Sequence, residues 1–420
     1  MTAAPLRVAV LGAGTVGEQV VRGLLDREAA ARLAAAAGGT GLTLAGVAVR
    51  NVAGAIERGL PRDLLTDAPA HLVASPDVDV VVELMGGDEP ARTLVAAALG
   101  AGKAVVSANK HLVAQHGPEL ERIARGSRAA FRFEAAVGGG IPILGPLAAD
   151  LGANRVLRVR GIVNGTTNYI LTEMAAGHGT YEGVLLEAQR QGYAEADPSG
   201  DVEGRDAVNK LVILARLAFD RWLRPDDIAT CPPALRGPGR PGITDVTADE
   251  LGAAAALGLT LRLLGVADGV GSASVLPTAL PVGSALGATF GVRNRIEVRA
   301  EPVGDVGFDG PGAGGAATSS AVLGDLVAVA RGLGSTWAGR PPAGAGGAPG
   351  FRSADAPRSW FALLPGAGAA TSLAGVVEAR AAVPAGLAIR TRPMTARDAA
   401  AALIVAVQGT ADATLYPIDD

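Results

Sequence analysis

Between Gly192 and Lys210 the chain reads GYAEADPSGDVEGRDAVNK, which sets Glu195, Asp197, Asp201, Glu203 and Asp206 ahead of one lysine, Lys210, at the mouth of the apolar run LVILARLAF. If that run is helical, Asp206 and Lys210 stand four residues apart on one face. A lysine ringed by carboxylates keeps its proton and can deliver it to an oxygen that is gaining negative charge. The plainer alternative is a solvated acidic loop followed by a helix-start salt bridge, the ordinary fate of charged clusters.

A second group of residues points to a nucleotide. Gly12-Ala13-Gly14-Thr15-Val16-Gly17 lies between the strand pattern LRVAVL and the helix pattern EQVVRGLL. Its first two glycines permit a tight turn and close approach to a pyrophosphate, and the third lets the helix pack on the strand. In so glycine-rich a chain the motif alone says little, but at the first strand–helix junction it marks a dinucleotide site. The second strand pattern, LAGVAV, ends in Arg50-Asn51 where an NAD site usually carries an acid for the ribose 2′-hydroxyl. A guanidinium suits a 2′-phosphate, so NADP is favoured, with NAD still able to bind without the acid. Two more loops fall at strand ends: Val82–Gly87, containing Met85 and Gly86, and Ser107-Ala108-Asn109-Lys110. Lys110 is placed to meet a phosphate or a substrate carboxylate there. His71, His111, His116 and His178 have no metal-ligand spacing, and no Ser-His-Asp arrangement is evident.

These residues need elements to hold them. Leu6–Leu11, Leu42–Val49, Val78–Leu84, Ala104–Val106 and Ala130–Glu134 read as buried parallel strands separated by alanine-rich helices, a Rossmann-type doubly wound α/β sheet. It is expected to occupy residues 1–145, closed by the GGGIP punctuation at Gly138–Pro142, with 310–336 returning to it. Residues 146–309 read as a second, α+β domain, with strands at Val156–Val163, Ala273–Val275 and Arg295–Ala300 and helices at Thr167–Ala176 and Ala207–Phe219. The Pro-, Gly- and Ala-rich stretch from Trp337 to Arg358 reads as a linker. From Ser359 to Asp420, the strand-like SWFALL, AIRTR and LIVAV around a helical stretch suggest a small α+β module.

At 420 residues the chain is too long for one core. A net charge of −4 argues against nucleic acid as the main ligand. The one cysteine, Cys231, cannot form an internal disulfide, which suits a reducing compartment. The start MTAAPLRVAVLG runs straight into a strand pattern with no basic-then-apolar leader, and the apolar candidate Leu251–Val266 is broken by Arg262. A cytoplasmic protein is expected.

With these residues assembled, the chain resembles the homoserine dehydrogenase family from about Leu6 to Leu333. The resemblance rests on the ordered segments GAGTVG, ELMGG, SANK, FEAAVGGGIPI, GIVNGTTNYIL, EAQRQGYAEADPSGDVEGRDAVNKLVILAR and GPGAG. It implies NAD(P)-dependent interconversion of homoserine and aspartate 4-semialdehyde, on the shared route to threonine and methionine, by a homodimer in which residues 146–309 form the substrate and dimerisation domain. Lys210 then matches the proton donor and acceptor, Glu195 and Asp206 the carboxylates that hold homoserine, and Asp201 a further one. Lys110 matches the lysine between cofactor and substrate, and Gly192 a main-chain position beside the cofactor. Glu134, Val137, Gly139 and Ile141 match a monovalent-cation site, with sodium as the ion, acting mostly through carbonyl oxygens suited to a hard ion. Read without the resemblance, that loop is a glycine hinge. Gly165 and Thr166, in the Asn164–Thr167 turn, can meet the substrate carboxylate or simply cap a helix.

The tail departs from the family. Many members end in a regulatory ACT domain, and Ser359–Asp420 has the right place and start, but PGAGAATSLAGV stands where the Asp-Xaa-Pro-Gly-Val loop is usual. GAATSS likewise follows GPGAG where a proline before threonine is usual. A degenerate ACT-like module is expected. Two rivals stand beside the dehydrogenase: a non-catalytic sensor, which predicts damage among the proton-transfer residues, and a semialdehyde dehydrogenase using a cysteine thiolate. Cys231 in ATCPPALRG has no histidine nearby in sequence to serve the latter.

Overall fold

Short β-branched runs without polar alternation are satisfied only in a sheet covered on both faces. The computed structural model, which describes residues 4–235, 237–342, 356–367, 373, 375–406 and 412–420, builds such a sheet first. Its strands β1 (Leu6–Leu11), β2 (Leu42–Ala48), β3 (Leu65–Thr66), β4 (Val80–Glu83), β5 (Ala104–Ser107) and β6 (Phe131–Arg132) are all parallel, in the order β3-β2-β1-β4-β5-β6. The order reverses between β1 and β4, so a crevice opens at their C-terminal ends. The helix Gly315–Ala330, far along the chain, packs beside Thr15–Leu25 of this unit.

The next unit holds β7 (Arg155–Ile162), a short pair β8 (Pro233–Ala234) and β9 (Gly237–Pro238), then β10 (Leu259–Asp268), β11 (Ala273–Pro281), β12 (Arg293–Glu301) and β13 (Gly304–Pro311). Five of these form an antiparallel sheet, β11-β10-β7-β12-β13. Inward residues of β12 alternate with exposed ones, as a half-buried strand requires. The helix Arg205–Phe219 lies on β7 and β10 and buries nearly all of LVILARLA. The apolar stretch broken by Arg262 is thus the end of one helix, Ala248–Ala256, followed by β10. Among the described residues no helix is long and apolar enough to cross a membrane.

The last unit is a four-stranded antiparallel sheet, β15-β16-β14-β17, made from β14 (Trp360–Pro365), β15 (Val377–Val383), β16 (Gly386–Thr391) and β17 (Tyr416–Pro417). Two expectations are corrected here. LIVAV is not a strand: Leu403–Ala406 finishes the helix Ala396–Ala406, because alanines before it favour a helix and the Thr395 hydroxyl accepts from the Asp398 N–H at 3.1 Å. Val407 lies outside the described residues, as does much of PGAGAATSLAGV. Nor does a free linker begin at Trp337. Its indole is buried against Phe131, Phe133 and Trp222, since a large ring next to a sheet edge is better packed than solvated. Within the expected linker, 343–355 lie outside the described residues.

Candidate active site

Gly204, with φ of +84°, turns the chain into the helix Arg205–Phe219, whose first turn carries Asp206. One turn on, the buried Lys210 ammonium donates to Asp206 Oδ2 at 2.7 Å and to the Val163 carbonyl, at the end of β7, at 2.6 Å. Lys110 opens the helix that follows β5 and comes from the other unit to pair with Asp206 Oδ1 at 2.7 Å. That approach lacks hydrogen-bond direction, so Oδ1 keeps accepting capacity. Asn164 Nδ2 donates to Asp206 Oδ2 at 2.9 Å and to Asp201 Oδ1 at 2.7 Å, while its Oδ1 caps Thr167. One carboxylate is therefore gripped by two ammoniums and an amide.

The two lysines are driven apart. Burial, together with repulsion from Lys110, pushes Lys210 below the usual lysine range despite Asp206. Lys110, with 44% of its side chain exposed, is held above that range by Asp206, with Asp201 and Glu195 adding to it. Burial alone would raise Asp206, but Lys210 and Lys110 hold it well below the ordinary carboxylate range. Burial and Asp206 push Asp201 up. Neighbouring groups of this one cluster are thus shifted in opposite directions.

Of the other expected substrate residues, Glu195 is exposed, and its charge acts on Lys110. Gly165 begins the helix Gly165–Ala175; a Cβ there would meet the Val292 carbonyl at 2.7 Å. The Thr166 hydroxyl donates to the Tyr193 carbonyl at 2.7 Å, which ties this helix to the Gly192–Glu195 loop. Gly192 has φ of +75° and open space beside it.

At the crevice of the parallel sheet, Gly12 has φ of +99°, and a Cβ on it would sit 2.7 Å from the Leu84 carbonyl. Gly14 and Thr15 are exposed at the start of the helix Thr15–Leu25, Val16 is half-buried and Gly17 buried. Gly14, Gly86 and Gly87 have nothing within 4 Å of a Cβ position, the open approach a pyrophosphate needs. A cavity of about 460 Å³ is lined here by Gly12, Gly14, Arg50, Met85 and Gly86. Arg50 is exposed and, among the described residues, has no protein partner for its guanidinium. The floor is tied together by Glu83, fully buried and pushed up by that burial, which accepts from the Met85 and Gly86 amides and from the Ser107 hydroxyl at 2.9, 3.2 and 2.7 Å. The Asn109 side chain bonds to the Gly87 carbonyl and caps Leu112. The Ser107 and Asn109 side chains are therefore committed within the protein, as are the Asn109 N–H, which donates to Ser107 Oγ at 3.0 Å, and the Asn109 carbonyl, which accepts from Val113.

Glu134, Val137, Gly139 and Ile141 share one tight loop against Gly312. The Glu134 carboxylate already accepts from the amides of Ile143, Leu144 and Gly145 at 2.7–2.8 Å. Burial and the neighbouring Asp325 push it up. Among the described residues no group of three His, Cys, Asp or Glu side chains could hold a metal. Cys231 is exposed.

Sequence reasoning missed four contributors. Asn164 reads from the sequence as part of a turn that meets the substrate carboxylate or caps a helix, and nothing local announces that it bridges two acids. The Val163 carbonyl is unreadable from residue type. Arg58, which donates to the Ala13 carbonyl at 3.1 Å, and Asp67 also line the cofactor cavity. One signal was available and unused: of 37 lysines and arginines only Lys103, Lys110 and Lys210 are lysines, and two of the three meet at Asp206.

A dinucleotide crevice at the ends of the parallel strands, and a neighbouring unit that holds a buried lysine, fit an NAD(P)-dependent oxidoreductase. The family description "Homoserine dehydrogenase" matches residues 142–327, and "Homoserine dehydrogenase, NAD binding domain" matches 12–134. The chain is 46% identical over 335 residues to the homoserine dehydrogenase of Mycobacterium tuberculosis, covering 78% of this chain and 73% of that one. A homoserine dehydrogenase structure from Thiobacillus denitrificans superposes with a TM-score of 0.89 at 32% identity over the full length of both chains. A hyperthermophilic archaeal homoserine dehydrogenase in complex with NADPH does so at 0.63 and 28%, covering 77% of this chain and 97% of that one. The chain belongs to the homoserine dehydrogenase family, and with it to the NAD(P)-dependent oxidoreductases of amino-acid biosynthesis.

Proposed function

We propose that this protein interconverts L-homoserine and L-aspartate 4-semialdehyde with Lys210 as proton carrier, and that NADP is its preferred cofactor. The observation that carries the assignment is the grip of Lys210 and Lys110 on opposite oxygens of Asp206, each at 2.7 Å. A nicotinamide held along Gly12–Gly17, Met85 and Gly86 supplies the hydride acceptor or donor. In oxidation, neutral Lys210 takes the proton from the substrate hydroxyl as the C–H bond gives up its hydride; in reduction, the ammonium returns the proton to the forming alkoxide. Lys110 keeps its charge throughout and lies between the cofactor crevice and the substrate. Asp206, ionised, orients both amines. Glu195, open to solvent, and Asp201 are the acceptors for the substrate ammonium, and the Gly165–Thr166 amides the donors for its carboxylate.

Arg50, exposed and unpaired, is the group for a ribose 2′-phosphate. Asp67, on the same cavity, can accept from a 2′-hydroxyl, and NAD stays open on that account. A sodium ion at Glu134, Val137, Gly139 and Ile141 would be held by main-chain carbonyls, because the Glu134 carboxylate is occupied. In this scheme residues 1–145 with 310–336 hold the cofactor, 146–309 the substrate, and the tail beyond 359 is a packing module in a cytoplasmic enzyme. The exposed Val282, Phe290 and Val292 beside the five-stranded sheet are apolar surface that a second copy would cover in a homodimer. The test is the rate of homoserine oxidation by purified protein with NADP and with NAD. Turnover with NADP at the lower KM is expected, and no turnover with either would overturn the assignment.

A further inference from the structure

The helices Lys110–Ser127 and Arg205–Phe219 come from different units, yet they pack side by side. At their N-terminal ends Lys110 meets Asp206. Eleven residues along the first helix and ten along the second, Glu121 meets Arg216 in a two-pronged fork, Nη2 to Oε1 at 2.7 Å and Nε to Oε2 at 3.0 Å. Those intervals rise about 16 and 15 Å, so the two ties are in register and the helices run parallel. Neither Glu121 nor Arg216 is more than 1% exposed. Between the ties lies Gly117, where an added Cβ would fall 2.5 Å from the Trp222 ring, and Trp222 Nε1 donates to Glu121 Oε2 at 2.7 Å. A buried pair of this kind contributes little stability beyond what apolar residues of equal volume would give. What a forked pair fixes is geometry.

We propose that Glu121 and Arg216 are positioning residues: their fork sets the register of the two helices and so brings Lys110 and Lys210 to opposite oxygens of Asp206. This rests on Lys210 being the proton carrier. A slip of one residue displaces a helix by about 1.5 Å, enough to break the 2.7 Å ion pair of Lys110 with Asp206. The groups facing Lys210 are Asp206 on its own helix, Lys110 from the neighbouring helix, Asp201 from Ser199–Val202 and the Val163 carbonyl. A slip withdraws Lys110 and leaves the other three.

The test is the double variant Glu121→Leu/Arg216→Met, which removes both charges of the fork together; it also takes a partner from Trp222 Nε1 and from Arg125, whose guanidinium is part-exposed and keeps the Arg340 carbonyl. It is expected to fold, to bind NADPH as the parent does, and to lose about ten- to a hundredfold in kcat, the scale of a misplacement near 1 Å. With Lys110 withdrawn, Lys210 is more easily protonated, so the rise of homoserine oxidation with pH moves to higher pH. A folded double variant with parental kcat and pH profile overturns the proposal. Should it fail to fold, Arg216→Lys keeps the charge but not the fork, and parental kcat there overturns it equally. Lys210→Ala is run alongside: if that variant keeps its kcat, the proton-carrier assignment has failed and the positioning role falls with it. If Lys210→Ala is inactive while the fork variants are normal, only the positioning role fails.

Discussion

Lys210→Ala isolates the chemistry from the binding. The amine it removes donates to the Val163 carbonyl at 2.6 Å and to Asp206 Oδ2 at 2.7 Å. Asp206 keeps Lys110 on Oδ1 and Asn164 on Oδ2, so it stays ionised and partnered. Loss of the bond to the buried Val163 carbonyl should cost about 1–3 kcal/mol of stability, which leaves a folded protein. The Gly12–Gly17 turn is untouched, so NADPH affinity should not change. Turnover is another matter: a positioned acid–base group contributes about 10²–10⁴ in rate, or roughly 3–5 kcal/mol. The sign of the pH dependence follows from the charge Lys210 must carry. Oxidation needs the neutral amine, so the parental rate should rise with pH through a pKa that burial sets below the usual lysine range. Reduction needs the ammonium and should fall through the same value. Steady-state rates in both directions, followed by NADPH absorbance from neutral to alkaline pH, measure this directly. In Lys210→Ala both limbs should flatten, and Lys210→Arg should be equally inactive in oxidation because a guanidinium cannot give up its proton. A Lys210→Ala enzyme with kcat within about tenfold of the parent and the same pH limbs would refute the assignment.

Three further outcomes are expected. Arg50→Ala should raise KM for NADP by about tenfold, the value of a charge-assisted bond to phosphate at an exposed site, and leave KM for NAD nearly unchanged; equal effects on the two would remove Arg50 from cofactor selection. Gly12→Ala combines a left-handed φ of +99° with a Cβ 2.7 Å from the Leu84 carbonyl. It should lose about 1–3 kcal/mol of stability and the upward shift in melting temperature that NADPH gives the parent, and a retained shift counts against the crevice. Asp206 is held below its ordinary range by two ammoniums, against its burial. Its stabilisation is therefore complete above the unfolded carboxylate pKa of about 3.9 and lost as pH falls through the lower folded value. The gap in melting temperature between the parent and Asp206→Asn should close on acidification, and a gap that widens would contradict the charge assignment.

What the sequence disclosed is what local physics encodes. Fully buried strands such as Val80–Glu83 announce themselves by unbroken apolar β-branched runs, and the Gly12 turn needs only six residues to be recognised. Asp206 and Lys210 were legible because helical spacing converts four residues into one contact. LIVAV misled for the converse reason: a short apolar run has no period of its own, and the alanines before it decided for helix. Trp337 sits among proline and glycine, but its partners Phe131, Phe133 and Trp222 come from elsewhere in the chain. Asn164 donates to two acceptors, Asp201 and Asp206, that lie 37 and 42 residues away, and no composition reveals that.

Lysine usage is the exception, a long-range fact visible without any contact. Arginine serves nearly every positive position in this chain, including buried ones such as Arg216 and Arg262. Solvation and charge alone therefore do not call for lysine. What arginine cannot do at any pH a protein tolerates is lose a proton. In the proposed mechanism Lys210, buried and pushed below its usual range, is where that ability is needed. Lys110 needs only its charge, but it must enter a pocket beside another ammonium and reach one oxygen of a carboxylate whose second oxygen is taken. A planar fork that prefers both oxygens at once would compete with Lys210 for Asp206, so a point-like ammonium is the geometry that lets two cations share one acid.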